Sequence, residues 1–106
     1  MPATWVEVPG ASAVREGFVA TFVVDGFPLA LARAGGRLYA VEDRCSHDDG
    51  PLGEGRIEGC EVVCPRHGAR FDLRDGRPTR MPAATPILSV PVREEDGKVL
   101  VDAGAL

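Results

Sequence analysis

The sequence predicts an all-β fold, an antiparallel β-sandwich or small barrel. Short runs rich in Val, Leu, Phe and Tyr recur between Gly, Pro and Asp punctuation. Asp25-Gly26, Asp75-Gly76 and Asp96-Gly97 carry the chemistry of tight hairpin turns. Only residues 11–17 offer a helical pattern, enough for a single turn.

In chain order the expected strands are residues 5–8, 18–24, 28–33, 37–42, 61–64, 70–73, 87–93 and 98–102. Trp5 is expected to anchor the core from the first of these. Asp25-Gly26 lies between two apolar runs, as a type I′ turn requires. Pro91 places its end of the 87–93 run at an edge or bulge. Two stretches break the rhythm. Residues 43–59 hold Gly50, Pro51, Gly53, Gly55 and Gly59 in a polar setting, so they read as one long loop. Residues 64–71 begin with a tighter loop, Cys64-Pro65-Arg66-His67-Gly68. A long loop in so small a chain points to function. With 106 residues and no linker or repeat, the chain is expected to form one domain, 1–106.

Composition narrows the function. Acidic residues outnumber basic ones 16 to 12, which argues against a nucleic-acid binder. No apolar run approaches a membrane span and the first residues lack signal-peptide character, so a cytoplasmic location is expected. Asn and Gln are absent and Lys98 is the only lysine, a pattern that fits heat adaptation or GC-rich coding. Three cysteines cannot make a complete disulfide framework.

Every histidine and two of the three cysteines fall in two short windows, Cys45-Ser46-His47 and Cys64-Pro65-Arg66-His67, separated by residues 48–63. Thiolate and imidazole together suit zinc, copper or iron–sulfur centres. Zinc fingers usually draw both cysteines from one knuckle and both histidines from a following helix. Here each window supplies one of each, and no helix follows. An all-cysteine cluster is excluded by the cysteine count, whereas a [2Fe–2S] cluster with two His in place of two Cys fits the inventory.

Cys45-x-His47, the spacer, Cys64-x-x-His67 and the continuation Gly68-Ala69-Arg70-Phe71-Asp72 resemble the signature of the Rieske [2Fe–2S] family. The Asp75-Gly76 and Pro82–Pro86 segments are similar to the family's hairpin and cluster-shielding proline loop. The resemblance implies a two-loop cluster-binding subdomain in which Cys45, His47, Cys64 and His67 are the ligands, the cysteines on one iron and the histidines on the other. Respiratory members add a cysteine pair where this chain has Gly50 and Arg66, and hydroxyls where it has Ala69 and Phe71. Their absence is similar to the soluble ferredoxins of bacterial oxygenases and implies a low potential within the family.

Two ferric ions, two sulfides and two thiolates sum to zero charge, and neutral imidazoles add nothing. Such a centre accepts an electron at roughly -150 mV or above, against about -400 mV for plant-type ferredoxins. The implied function is one-electron transfer from a flavoprotein reductase to a terminal oxygenase, such as an aromatic-ring hydroxylating dioxygenase. Iron–sulfur assembly or another redox pathway is the alternative acceptor, and a zinc-stabilised interaction module the alternative class.

An oxygenase of its own is not expected, because a mononuclear iron would need histidines already committed to the cluster. A dinucleotide site is not expected either: Gly53–Gly59 puts Glu58 where the third fingerprint glycine belongs. The chain therefore reads as a carrier rather than an enzyme. Cys60 reads as a small buried or strand-edge residue. Asp48, Asp49, Arg66 and Arg70 read as solvated loop charge or as a docking rim. Gly50, Gly53 and Gly68 are expected to permit special backbone shapes.

Overall fold

A computed structural model describes residues 2–46, 48–81 and 85–106. Among these, eleven strands form three sheets with antiparallel pairing throughout. The first sheet joins β1 (Trp5–Glu7), β11 (Lys98–Asp102) and β10 (Val92–Glu95) in that order. The second orders β2 (Val19–Val24), β3 (Phe27–Ala34), β4 (Arg37–Glu42) and β9 (Ser89–Val90). The third orders β5 (Arg56–Glu58), β6 (Glu61–Val63), β7 (Arg70–Asp72) and β8 (Pro78–Arg80), and it carries one of the two ligand windows between β6 and β7.

The Leu-Ala alternation of β3 explains how the layers assemble. Successive strand residues point to opposite faces. Leu29 and Leu31 enter a core shared with Val8, Leu38, Val90, Val99 and Val101. Ala30, Ala32 and Ala34 enter the opposite core, with Leu52, Val62, Phe71, Leu73 and the two thiols of Cys45 and Cys64. On the alanine side the turn at Leu52–Glu54 lies directly against β3. Both cores are apolar and β3 is the wall between them.

The turns follow the sequence at Asp25-Gly26 and Asp96-Gly97, where both residues have positive φ (51° and 77°, 52° and 76°). Asp75-Gly76 is different. It lies in a longer loop closed by Gly76 N donating to Asp72 O at 2.8 Å and Asp72 N donating to Arg77 O at 2.8 Å. The expected 87–93 strand is two strands: β9 pairs with β4 and β10 with β11, so the chain changes sheet at Pro91. Pro91 has no N–H for a ladder, and its carbonyl accepts from Asp102 N at 3.1 Å. Two strands were not expected. β5 interrupts the 43–59 loop and β8 carries Pro78, which sits at the sheet edge where a missing donor is tolerated. Trp5 is half-buried rather than a core anchor; the Arg93 guanidinium lies 5.0 Å from its ring centroid.

Asp72 pins the β7–β8 loop. Its Oδ1 accepts from Arg74 N and Nε (2.9 and 3.0 Å) and its Oδ2 from Arg74 Nη2 (2.8 Å). The guanidinium contact holds this buried carboxyl below its ordinary value of 3.8 despite the opposing cost of desolvation. A depressed folded-state pKa stabilises above the unfolded value, and that stability is lost as pH falls through the folded one. The denaturant midpoint is therefore expected to fall as pH drops below the ordinary carboxyl range. Asp72→Asn should flatten that slope relative to the wild type, as urea titrations at several pH values would read.

Candidate metal centre

Two loops bring the candidate ligands together, and they share one backbone scheme. In the first, Cys45 N donates to Gly50 O and Asp49 N donates to Cys45 O, both at 2.8 Å. In the second, Cys64 N donates to Ala69 O at 2.8 Å and Gly68 N to Cys64 O at 3.1 Å. Each loop is thus closed from its cysteine to the fifth residue on, with the fourth residue bonded back to the cysteine. That fourth residue is left-handed in both, Asp49 at φ 61° and Gly68 at φ 73°. A Cβ at Gly68 would meet nothing within 4 Å, so Gly68→Ala carries backbone strain alone. The expected cost is about 1–2 kcal/mol, readable as a drop in Tm.

A buried carboxylate locks the first loop to the sheet beneath it. Asp43 Oδ2 accepts from Thr21 Oγ1 on β2 at 2.7 Å, and Oδ1 accepts from Gly53 N at 2.6 Å. Gly53 is required by this close approach rather than by its own φ. A Cβ there would lie 2.0 Å from Thr21 Oγ1 and 3.1 Å from Thr21 N. Gly50 likewise faces Arg66, since a Cβ on it would lie 2.9 Å from Arg66 Cδ. The two positions where respiratory members would place their extra cysteines are therefore neighbours here. Ser46 Oγ ties the same loop to the proline segment, donating to Thr85 O at 2.6 Å.

The cysteines of both windows are buried, at 0% and 1% exposure, and belong to the core formed with Ala30, Leu52 and Phe71. Their sulfurs lie within 4.8 Å of each other and of an Asp48 carboxylate oxygen. His67 stands at the rim with its side chain 57% exposed, its Nδ1 3.3 Å from Asp48 Oδ2. His47 and Pro82 lie outside the described residues. Adjacent buried thiols walled by apolar side chains, with an imidazole at the water boundary, are donors suited to an iron–sulfur centre. Ala69 and Phe71, both fully buried, add no hydroxyl beside the thiols.

The flanking charges divide. Asp49 is exposed and paired with Arg44 at 2.7 Å, and Arg66 is exposed. Arg70 is neither solvated nor a rim group: it pairs with Glu58 at 2.7 Å and Glu61 at 3.3 Å, fastening β5 and β6 to β7. Arg56 and Arg70 together hold the Glu58 carboxyl below its ordinary value. Asp48 is the residue that sequence reasoning misplaced. Its side chain is only 15% exposed, with Oδ1 accepting from Gly50 N at 2.9 Å and Oδ2 turned to His67, 3.6 Å from Arg66 Nε. Its spacing held the signal, because Cys45-x-x-Asp48 repeats Cys64-x-x-His67. Cys60 is half-buried in the β5–β6 turn, where its carbonyl accepts from Leu73 N at 2.9 Å.

Known proteins give the same reading. The Rieske [2Fe–2S] domain family matches residues 4–98. The ferredoxin component of the naphthalene 1,2-dioxygenase system of Pseudomonas putida is 34% identical over 102 residues, covering 96% of this chain and 98% of that protein. The ferredoxin of carbazole 1,9a-dioxygenase from Nocardioides aromaticivorans IC177 superposes with TM-score 0.87 at 33% identity, covering 93% of this chain and 97% of that one. A chain in a complex of reduced oxygenase and oxidized ferredoxin in carbazole 1,9a-dioxygenase gives TM-score 0.84 at 34% identity, covering 95% and 94%. With paired thiols at the tips of two matching loops and agreement along nearly its whole length, the chain belongs to the Rieske [2Fe–2S] domain family.

Proposed function

We propose that this chain is a single Rieske domain, residues 1–106, whose Cys45, His47, Cys64 and His67 hold one [2Fe–2S] cluster. Its function is one-electron transfer from a flavoprotein reductase to the terminal oxygenase of a ring-hydroxylating dioxygenase system. The observation that carries this reading is the pair of buried thiols brought within 4.8 Å by two loops of the same hydrogen-bond scheme. Likeness to ferredoxin components of naphthalene and carbazole dioxygenases supports the choice of partners.

Held by Cys45, His47, Cys64 and His67, the cluster would supply reversible one-electron chemistry. The chain's own residues govern how that happens. Cys45 and Cys64 keep their sulfurs away from water, inside the apolar core against Leu52 and Phe71. The lock of Thr21, Asp43 and Gly53 fixes the first loop against β2. His67 presents its ring at the surface, where a partner protein can approach. Alanine and phenylalanine at positions 69 and 71 bring no hydroxyl to the site, which favours a low potential within the family.

Among the described residues no helix is long and apolar enough to cross a membrane. Rapid mixing tests the role directly. Protein reduced anaerobically by one electron is expected to reoxidise when mixed with an oxidised ring-hydroxylating oxygenase, in proportion to the oxygenase added. A reduced protein that passes no electron to any such oxygenase contradicts the assignment of partner.

A further inference from the structure

The two loops are equivalent beyond their cysteines. Superposing their hydrogen-bond schemes sets Cys45 on Cys64, Asp49 on Gly68 and Gly50 on Ala69. The same register sets Asp48 on His67. These two counterparts face each other, with Oδ2 of one 3.3 Å from Nδ1 of the other. The proposed cluster ligands do not follow this equivalence, because His47 sits one position earlier in its loop than His67 does in its own.

We propose that Cys45, Asp48, Cys64 and His67 form a site for a single divalent cation of the zinc class, an alternative to the cluster. Several observations converge on it. Each loop offers a cysteine and a second donor at the Cys-x-x spacing of zinc knuckles. Nitrogen and oxygen ligands about 2.0–2.1 Å from zinc stand roughly 3.3 Å apart along a tetrahedral edge, and Asp48 and His67 have that separation. Both sulfurs and the Asp48 oxygen already lie within 4.8 Å of one another. His67 is not part of that tight group of three, but it adjoins it through Asp48 and its exposed side chain has room to turn toward the sulfurs.

Asp48 Oδ1 accepts from Gly50 N, while Oδ2 faces His67 Nδ1 at 3.3 Å and Arg66 Nε at 3.6 Å. Binding replaces the proton of each thiol by the metal, and the two protons pass to solvent; the carboxylate is already ionised and the imidazole binds neutral. Because the thiols are shared, a chain holding this cation cannot hold the cluster. Zinc and iron–sulfur loading therefore compete at one pair of cysteines.

The proposal shares Cys45, Cys64 and His67 with the cluster reading but turns on Asp48, which separates the two experimentally. Apoprotein is titrated anaerobically with Co²⁺ and then with Zn²⁺, following thiolate-to-cobalt absorption. One equivalent of tetrahedral Co²⁺ is expected, displaced by zinc. Asp48→Asn and His67→Ala should each weaken cobalt binding tenfold or more, whereas His47→Ala should leave it unchanged. Reconstitution with iron and sulfide should show the crossed pattern, lost in His47→Ala and retained in Asp48→Asn. Because His67 is exposed, its variant remains informative should Asp48→Asn fail to fold. Octahedral cobalt without thiolate absorption, or affinity unchanged in Asp48→Asn and His67→Ala, overturns the proposal. Failure of the wild type to take up iron and sulfide would instead overturn the cluster reading.

Discussion

Cys64→Ser is expected to fold and to retain less than a tenth of the wild-type iron and sulfide. The Cys64 sulfur is buried beside that of Cys45, in a core of alanine, leucine and phenylalanine, and no third thiol is at hand to replace it. Cys60, the remaining cysteine, belongs to the β5–β6 turn. A serine hydroxyl is a harder and shorter donor than a thiolate and holds iron–sulfur centres poorly. The sheets do not depend on the sulfur, so circular dichroism should stay close to wild type while visible absorption is lost.

His67→Cys is the complementary change. It exchanges a neutral imidazole for a thiolate and adds one negative charge beside the centre, so the midpoint potential should move negative if the cluster is retained. An unchanged spectrum and potential would remove His67 from the ligand set.

Gly76→Ala is expected to be the most damaging single-methyl change in the β7–β8 region. A Cβ at Gly76 would lie 2.0 Å from the Ile87 carbonyl oxygen and 2.9 Å from its carbon, atoms of backbone that no side-chain rotation can move. Gly76 also has φ +77°. The same contact carries a hydrogen bond, Ile87 N to Gly76 O at 2.9 Å, and Ile87 is a core residue.

Left-handed strain costs about 1–2 kcal/mol, the disturbed hydrogen bond about 1 kcal/mol, and displacement of a packed backbone about 1–3 kcal/mol. A total of about 3–6 kcal/mol is a large share of a typical stability of about 5–15 kcal/mol. Gly97→Ala is the internal control: its φ is +76°, yet a Cβ there meets nothing within 4 Å. It should lose only the strain of about 1–2 kcal/mol. Equal losses of Tm in the two variants would show that close approach is not what Gly76 serves.

The strands that reveal themselves in sequence are those whose side chains alternate against a core. β3 reads Leu-Ala-Leu-Ala because its two faces enter two different cores, the leucines one and the alanines the other. β5 and β8 give no such sign. Arg56-Ile57-Glu58 has one apolar residue among glycines, and Pro78-Thr79-Arg80 has none that alternate, so pairing with β6 and β7 makes them strands. The proposed cluster ligands are legible because four scarce residues fall in two windows. Asp43 was not legible as a lock, since its partners lie 22 and 10 residues away and only the fold brings them together. Asp48 looked like loop charge until the matching hydrogen bonds of the two loops put it opposite His67.

The central claim is that two cysteines and two histidines of this chain hold one Rieske cluster. Its most direct measurement is iron, acid-labile sulfide and spin quantitation on protein reconstituted anaerobically with iron and sulfide. The account predicts two irons and two sulfides per chain and, after reduction by one electron, one unpaired spin with a rhombic signal. A colourless protein without sulfide, or one with a spin-silent reduced state, would contradict it.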